Sequence, residues 1–543
     1  MQKTLFSLVA LIWSTGLVAQ QFQQVFSTPS VDTFTSVANA PDNGFILGGF
    51  SSGVGSGSND AFFIRTNQFG DTLWNATFGG EMNESLDAII QKSNGNYLFT
   101  GSSQSWNPLG NTDTFIGEFT PEGELNWSIG LNGINQDLPY AMELTDDDGF
   151  LITGITNSFS PEGSFDIFAL KGTSEGEIEW YKVYGGPEYE APRGITSDSD
   201  GNVYIWGHHS TSTSLGYDPI LLKLDSEGEL LFTKSYGLSA NEIASDIIIA
   251  ANGDLLMTSD TNSEGQGFND ILLIRMTNEG EIIFAKTIGA GSSDHSLDIT
   301  HVENNMYAII GATASFGAGG LDYMVTYVTE HGDVKYTFSF GGDEKDVAFD
   351  AVKTEDDGLV LVGTTRSFGE GFGSAYAVRL DNSFKCGCNG FYDGQFMAAE
   401  VELNIGNVGL ELRAEGIVSE ELTFPFNLGN ATNFETLCSD APIENGFTEQ
   451  ESNNTYEQES TTRLKVTPNP SNGPVTVSVK SLENTHTRLE VFSLEGRLLQ
   501  EYLVGLPGQS SQSSIVLRPL PTGIYLVRMT SGGKLETKRF VIN

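Results

Sequence analysis

Short apolar runs recur along the whole chain, each bounded by glycine, asparagine or aspartate, and none carries the sustained 3.6-residue period of an amphipathic helix. The first full unit divides into the runs DAII, NYLFTGSS, DTFIGEF and ELNWSIG. They are separated by Asn94-Gly95, by WNPLGNT and by Pro121-Glu122-Gly123, all turn chemistry. These runs predict four short strands. Inner runs such as DIIIA from Asp246 and PILLKL from Pro219 are apolar on both faces, as befits a strand packed between neighbouring sheets. The fourth run alternates and carries charge, as an outer strand would.

The pattern repeats with a fixed period. An acid precedes the third run at Asp60, Asp113, Asp166, Asp218, Asp270 and Asp322, spaced 52 or 53 residues apart, and Ser374 stands in the seventh copy. A glycine follows at Gly70, Gly123, Gly176, Gly228, Gly280 and Gly332. Four residues later comes a large aromatic: Trp74, Trp127, Trp180, Phe232, Phe284 and Tyr336. Four strands in about 50 residues is the signature of a propeller blade. The seventh unit lacks its fourth strand, and Phe22 lies 52 residues before Trp74, in register with the missing aromatic. The N-terminal strand is therefore expected to complete the last blade. The fold class predicted is all-β, with a seven-bladed β-propeller over residues 21–384.

A second acidic ladder, Asp32, Glu84, Asp137, Glu190, Glu242, Asp294 and Asp346, precedes the innermost strand of every unit. In a four-strand meander both ladders fall on the same face of the disc, giving two concentric acidic rings. Acids held in every blade serve as turn caps; as a cation-binding face they would take calcium, the one cofactor this reading suggests. Asp198-Ser-Asp200-Gly201 resembles the start of a calcium loop, but His209 occupies the twelfth position where that loop needs glutamate. His208 and His209 are adjacent in a strand and point to opposite faces, which prevents them from chelating one ion. No G-x-S-x-G, H-E-x-x-H or phosphate-cradling glycine motif is present.

A formal net charge of −44, from 71 acids and 27 bases, excludes a nucleic-acid partner. Residues 1–20 carry Lys3 and then a short interrupted apolar run, and read as a signal peptide. No later stretch is long and apolar enough for a transmembrane helix. The first cysteine is Cys386, so a lipid anchor after the signal is not expected. In an oxidising compartment Cys438 is expected to pair with Cys386 or Cys388. Zinc is disfavoured because no histidine lies between 385 and 440. Residues 385–440 alternate well enough to predict a small Cys-containing β unit, and 441–462, with no base, an acidic flexible linker.

From Arg463 the balance reverses to ten Lys or Arg against five Glu. The stretches LKVTPNPSNGPVTVSV, LEVFSLEGRLLQ and LPTGIYLVRMTSGGKLETKRFVIN predict an immunoglobulin-like β-sandwich over residues 463–543. These phrases resemble the type A C-terminal sorting domain of the type IX secretion system of Bacteroidota. The resemblance rests on Pro468-Asn469-Pro470, Gly473, Gly496, Gly523-Ile524-Tyr525 and the terminal Lys538–Val541 run. It implies recognition by the secretion translocon and release or display at the outer surface. The upstream units resemble propeller repeats of secreted bacterial proteins, which supports the fold and leaves the chemistry open.

Taken together these features describe a secreted or cell-surface propeller that binds a glycan or protein ligand, with no catalytic constellation. The competing readings are a carbohydrate-active hydrolase or lyase with carboxylates in the channel, and a structural surface protein without a small ligand. Truncation at Thr462 is expected to abolish appearance of the protein outside the cell while leaving it in the periplasm. Fractionation and immunoblotting would check this, and continued export would overturn the sorting assignment.

Overall fold

The computed structural model describes most of residues 21–439 and the strands between 464 and 542; residues 1–20, 383–390, 440–463 and shorter segments within loops lie outside the described residues. Residues 32–380, with the N-terminal strand, form seven antiparallel four-stranded blades, called I to VII in chain order. Their innermost strands are Asp32–Ala40, Glu84–Gln91, Asp137–Leu144, Glu190–Ser197, Glu242–Ile249, Asp294–His301 and Asp346–Lys353. Each begins on an acid of the second ladder. The N-terminal strand Phe22–Phe26 pairs with Ser374–Leu380 and supplies the fourth strand of blade VII, with Phe22 opposite Arg379 as Trp74 is opposite Arg65 in blade I.

The two markers that run in register have one cause. The fourth-strand aromatic of one blade packs on the turn glycine of the next: Trp127 on Gly176, Trp180 on Gly228 and Phe284 on Gly332. Those glycines have φ of 88°, 76° and 71°, and a Cβ on any of them would press into the ring. Trp74 and Trp180 also donate their indole N–H across the blade boundary, to the carbonyls of Pro121 and Ser226, each at 3.0 Å. Apolar clusters fill the spaces between neighbouring blades, which is why the middle strands are apolar on both faces.

The segment expected to fold as a small β unit of its own instead encircles the propeller. Its strands Phe391–Gly394, Met397–Glu400, Asn404–Asn407, Glu411–Glu415, Val418–Glu421, Phe426–Gly429 and Phe434–Ser439 each add to a different blade. They pair with the outermost strands of blades VI, V, IV, III, II, I and VII in that order, so every blade becomes five-stranded. The belt runs against the order of the blades and ends on the N-terminal strand, where Cys438 lies opposite Gln23. Cys386 and Cys388 lie outside the described residues. The physical reason for the belt is the open edge: seven outer strands would otherwise present unpaired N–H and C=O groups.

The belt has its own repeat, which the reading of the sequence did not detect. Phe396, Leu403, Leu410 and Ile417 are seven residues apart, one belt step per blade. Each packs into a successive inter-blade cluster. Phe396 and Leu410 are each only 7% exposed. Arg413 adds hydrogen bonds to the carbonyls of Gly185 (3.2 Å) and Gly186 (2.5 Å).

The C-terminal unit contains a three-stranded sheet and a four-stranded sheet that share one apolar cluster, including Val477, Val491 and Val527. Of the sorting-motif residues, Gly523 opens the strand Gly523–Ser531, and Tyr525 is buried with its hydroxyl donating to the Pro521 carbonyl at 2.7 Å. Pro468, Asn469, Pro470 and Gly496 lie outside the described residues.

Replacing Leu410 with alanine is expected to destabilise the propeller by about 2–5 kcal/mol, as for other buried leucines. Deleting Gln21–Ser27 removes a strand held on both sides and should lower stability further. Urea unfolding followed by tryptophan fluorescence would check both, and an unchanged midpoint in either variant would contradict the closure described.

Candidate functional site

The second-ladder acids do not form an exposed ring. All seven are at most 1% exposed and sit inside turns. Asp346 accepts from the Thr365 hydroxyl at 2.5 Å, the Ser367 hydroxyl at 2.7 Å and the Gly342 N–H at 2.9 Å. The same pattern holds for Glu84 with Ser103, Ser105 and Gly80, for Glu242 with Thr261, Ser263 and Leu238, and for Asp294 with Thr313, Ser315 and Ala290. Asp32 bonds Ser51 and Thr28 N–H, and Asp137 bonds Ser158. The third-strand ladder lies beside it. A Cβ on Gly341 would overlap the carboxylates of both Asp322 and Asp346, which explains the glycine in that turn. Among the described residues no group of three or more His, Cys, Asp or Glu is placed to hold a metal ion.

Blade IV breaks the pattern. His209 stands opposite Glu190 where other blades place a hydroxyl, and burial pushes the Glu190 carboxyl up to about 8. His208 is 4% exposed, its Nδ1 has no partner, and burial drives it down to about 3, so it is neutral.

A central cavity of about 530 Å³ lies between the seven innermost strands. Each of these strands carries a β-bulge at one equivalent position, occupied by Thr35, Asp87, Tyr140, Arg193, Ser245, Leu297 and Phe349 in turn. A bulge interrupts the ladder and leaves a backbone N–H seeking an acceptor. The residue after the bulge in the preceding blade supplies it. Asp246 accepts from Ile299 N–H at 3.2 Å, Asp298 from Ala351 N–H at 3.0 Å, Asp350 from Val37 N–H at 2.8 Å, and Ser36 Oγ from Ile89 N–H at 3.1 Å. These bonds clamp blades V, VI, VII, I and II to one another round the channel. The three aspartates face the cavity half-buried, and loss of solvation raises all three, Asp246 to about 7. Asp298 is hydrogen-bonded to Asp246 and holds the proton.

Round the other half of the channel the clamp is missing, because Ala88, Ala141 and Gly194 occupy its positions. There the bulge residues are Asp87, Tyr140 and Arg193, all lining the cavity. The Arg193 guanidinium stacks 4.7 Å above the Tyr140 ring. Burial pushes Asp87 up to about 8, and its Oδ2 has no partner. On the loop face beside Arg193 lies a group of half-buried rings. Tyr189 is 6.1 Å from Phe165, 6.1 Å from Tyr217 and 6.3 Å from His208. In the column of Tyr189 the other blades have Val31, Asn83, Gln136, Asn241, Ser293 and Lys345. None of Asp87, Tyr140, Tyr189 or Arg193 was singled out by motif; reading the repeat column by column for departures would have found them.

Residues 465–543 match the secretion system C-terminal sorting domain. This domain directs the chain through the type IX secretion system to the cell surface or the medium. No curated protein matches the chain. Among solved structures, a puromycin hydrolase is 13% identical with a TM-score of 0.43, over 65% of this chain and 53% of that one, so the chain spans about half its length. An endo-1,5-α-L-arabinanase from Thermotoga petrophila is 9% identical with a TM-score of 0.25, over 65% of this chain and 100% of that one. A family 43 glycoside hydrolase, the YxiA protein of Bacillus licheniformis, is also 9% identical with a TM-score of 0.25, over 65% and 99%.

The buried carboxyls have a consequence for stability. Asp113, Asp246 and Asp322 are raised to about 7, 7 and 6, and Asp87, Glu143 and Glu190 to about 8, in each case chiefly by burial. The folded chain keeps these protons at pH values where the unfolded chain has released them. Stability from this source is full below about pH 4 and is lost as pH rises towards 8. The melting temperature is therefore expected to fall from pH 5.5 to pH 8.5 at constant ionic strength. Asp298→Asn should flatten that slope, whereas general charge repulsion alone would leave it nearly unchanged. A melting temperature that is level or rises over this range would overturn the assignment.

Proposed function

We propose that this exported propeller is a cell-surface binding and adhesion module. Its ligand engages the loop face and channel wall of blades II to IV. The observation that carries this reading is the coincidence of departures from the repeat. Asp87, Tyr140, Arg193, Tyr189 and Tyr217 cluster on neighbouring blades, and the inter-blade clamp is absent in the same three blades. A residue shared by every blade serves the fold, whereas a group of polar and aromatic residues found in adjacent blades only is free to serve recognition.

The hydrolase reading needs a carboxyl pair free to exchange protons with a substrate. The pair present in the channel, Asp246 and Asp298, is bonded to backbone N–H groups of the following blades and holds the ring together. A purely structural role leaves the Arg193–Tyr140 stack and the Tyr189 ring group unexplained. Export before ligand encounter agrees with the sorting domain. The N-terminal signal peptide completes this route as part of the proposal.

Replacing Tyr189 with serine and Tyr217 with asparagine introduces residues that other blades carry at those positions. The double variant is expected to fold with an unchanged melting temperature and to lose at least tenfold in affinity for the ligand that glycan and protein arrays identify. Full binding by the double variant would overturn the location of the site.

A further inference from the structure

We infer that the site on blades II to IV takes a neutral carbohydrate, a chain of hydroxyl-bearing rings without fixed charge; this rests on the binding reading above. Two observations combine. The first is the presence in one cavity of a guanidinium and a carboxyl that do not neutralise each other. Among the described residues Arg193 makes no ion pair, and Asp87 Oδ2 has no hydrogen-bond partner. Burial keeps Asp87 and the aspartates of the opposite wall protonated, so none of them offers an ionised partner to a cationic ligand. The Arg193 charge is already engaged by the face of the Tyr140 ring, which lessens its pull on an anionic ligand. Hydroxyl groups suit such a wall, because each donates to a carboxyl oxygen and accepts from a guanidinium N–H.

The second observation is the apolar surface beside these groups. Tyr189, Tyr217 and Phe165 meet largely edge to face and stay half-buried, so part of each ring remains open to a ligand. Such surfaces suit the C–H faces of sugar rings, which are apolar on one side and hydroxylated at the rim. His208 lies beneath them, more than nine-tenths buried, with Nδ1 unpartnered. Being neutral, it adds a polar atom to the floor without adding charge. The cavity, about 530 Å³, falls within the range of about 300–1,000 Å³ typical of small-ligand sites. It is large enough for part of an oligosaccharide, with the remainder lying over the aromatic group.

The test uses the full secreted chain and calorimetric titration with stated probes. These are the neutral hexasaccharides of β-1,4-glucan, β-1,3-glucan, α-mannan and xylan, the charged hexagalacturonate, and hexalysine. At least one neutral hexasaccharide is expected to bind, with both charged probes at least tenfold weaker. Asp87→Asn and Arg193→Gln keep shape and should each weaken the neutral ligand at least tenfold, with melting temperatures no lower than that of the parent chain. Unchanged affinity in both variants would overturn the carbohydrate site. Preferred binding of a charged probe, lost in the Tyr189→Ser variant, would overturn the ligand class and leave the binding module standing. Failure of every probe here, together with blank glycan and protein arrays, would overturn both readings.

Discussion

The unpaired edge of a β-strand is the constraint on which this architecture turns. A four-stranded blade leaves one strand with a row of free N–H and C=O groups, and seven blades leave seven such rows. The chain answers twice. Strand Phe22–Phe26 closes blade VII from the N-terminal side, and the belt then covers every outer edge. The belt's last strand lies on the N-terminal strand itself, so the first and last strands of the propeller unit hold each other. A new outer edge remains, but it is broken into pieces of four to six residues. Short, interrupted edges are poor templates for association.

Inside the disc the same need for partners governs the polar groups. The bulges of the innermost strands free backbone N–H groups near the axis. Asp246, Asp298, Asp350 and Ser36 satisfy them from the neighbouring blade. A carboxylate placed there is desolvated, so it holds its proton or shares one, as Asp298 does with Asp246. The ladder acids at the turns are different. Most receive hydroxyl and amide donors that offset their burial, whereas Glu190, with His209 in place of the hydroxyl, is pushed up. A strongly acidic chain can therefore bury many carboxyls without burying many charges.

Much of this was legible in the sequence. The glycine and aromatic markers, spaced by one blade, are visible because they share fixed places in each blade and meet across blade boundaries, as Trp127, Trp180 and Phe284 do with Gly176, Gly228 and Gly332. Phe22 could be placed because its register with Trp74 reflects a shared position in the fourth strand. The belt was not legible in the same way. Its apolar residues Phe396, Leu403, Leu410 and Ile417 keep a seven-residue step, but an extended chain that runs obliquely across blades has no period that secondary-structure reasoning seeks. The direction of the ladder carboxylates was also hidden. An acid at the start of a strand can face water or a turn, and only the Ser and Thr 19 and 21 residues further on, at the end of the next strand, show which. The candidate site carried no motif, because its residues come from three different repeats and are joined only by the ring.

Symmetry and its breaking then divide the labour of the molecule. Blades V, VI, VII and I use the position after the bulge to clamp their successors, and their bulge residues are Ser245, Leu297, Phe349 and Thr35. Blades II, III and IV have Ala88, Ala141 and Gly194 there, which give up those bonds. The loss is tolerable because the blades are held elsewhere, by the inter-blade aromatic packing and by the belt, whose Leu410 and Ile417 pack into the clusters around these same blades. Freed from the clamp, the bulge column can carry Asp87, Tyr140 and Arg193, a combination that would be costly in a blade that had to satisfy its neighbour. The covering of the outer edge and the availability of the inner wall are thus linked: a propeller secured around its rim can leave part of its axis open for recognition.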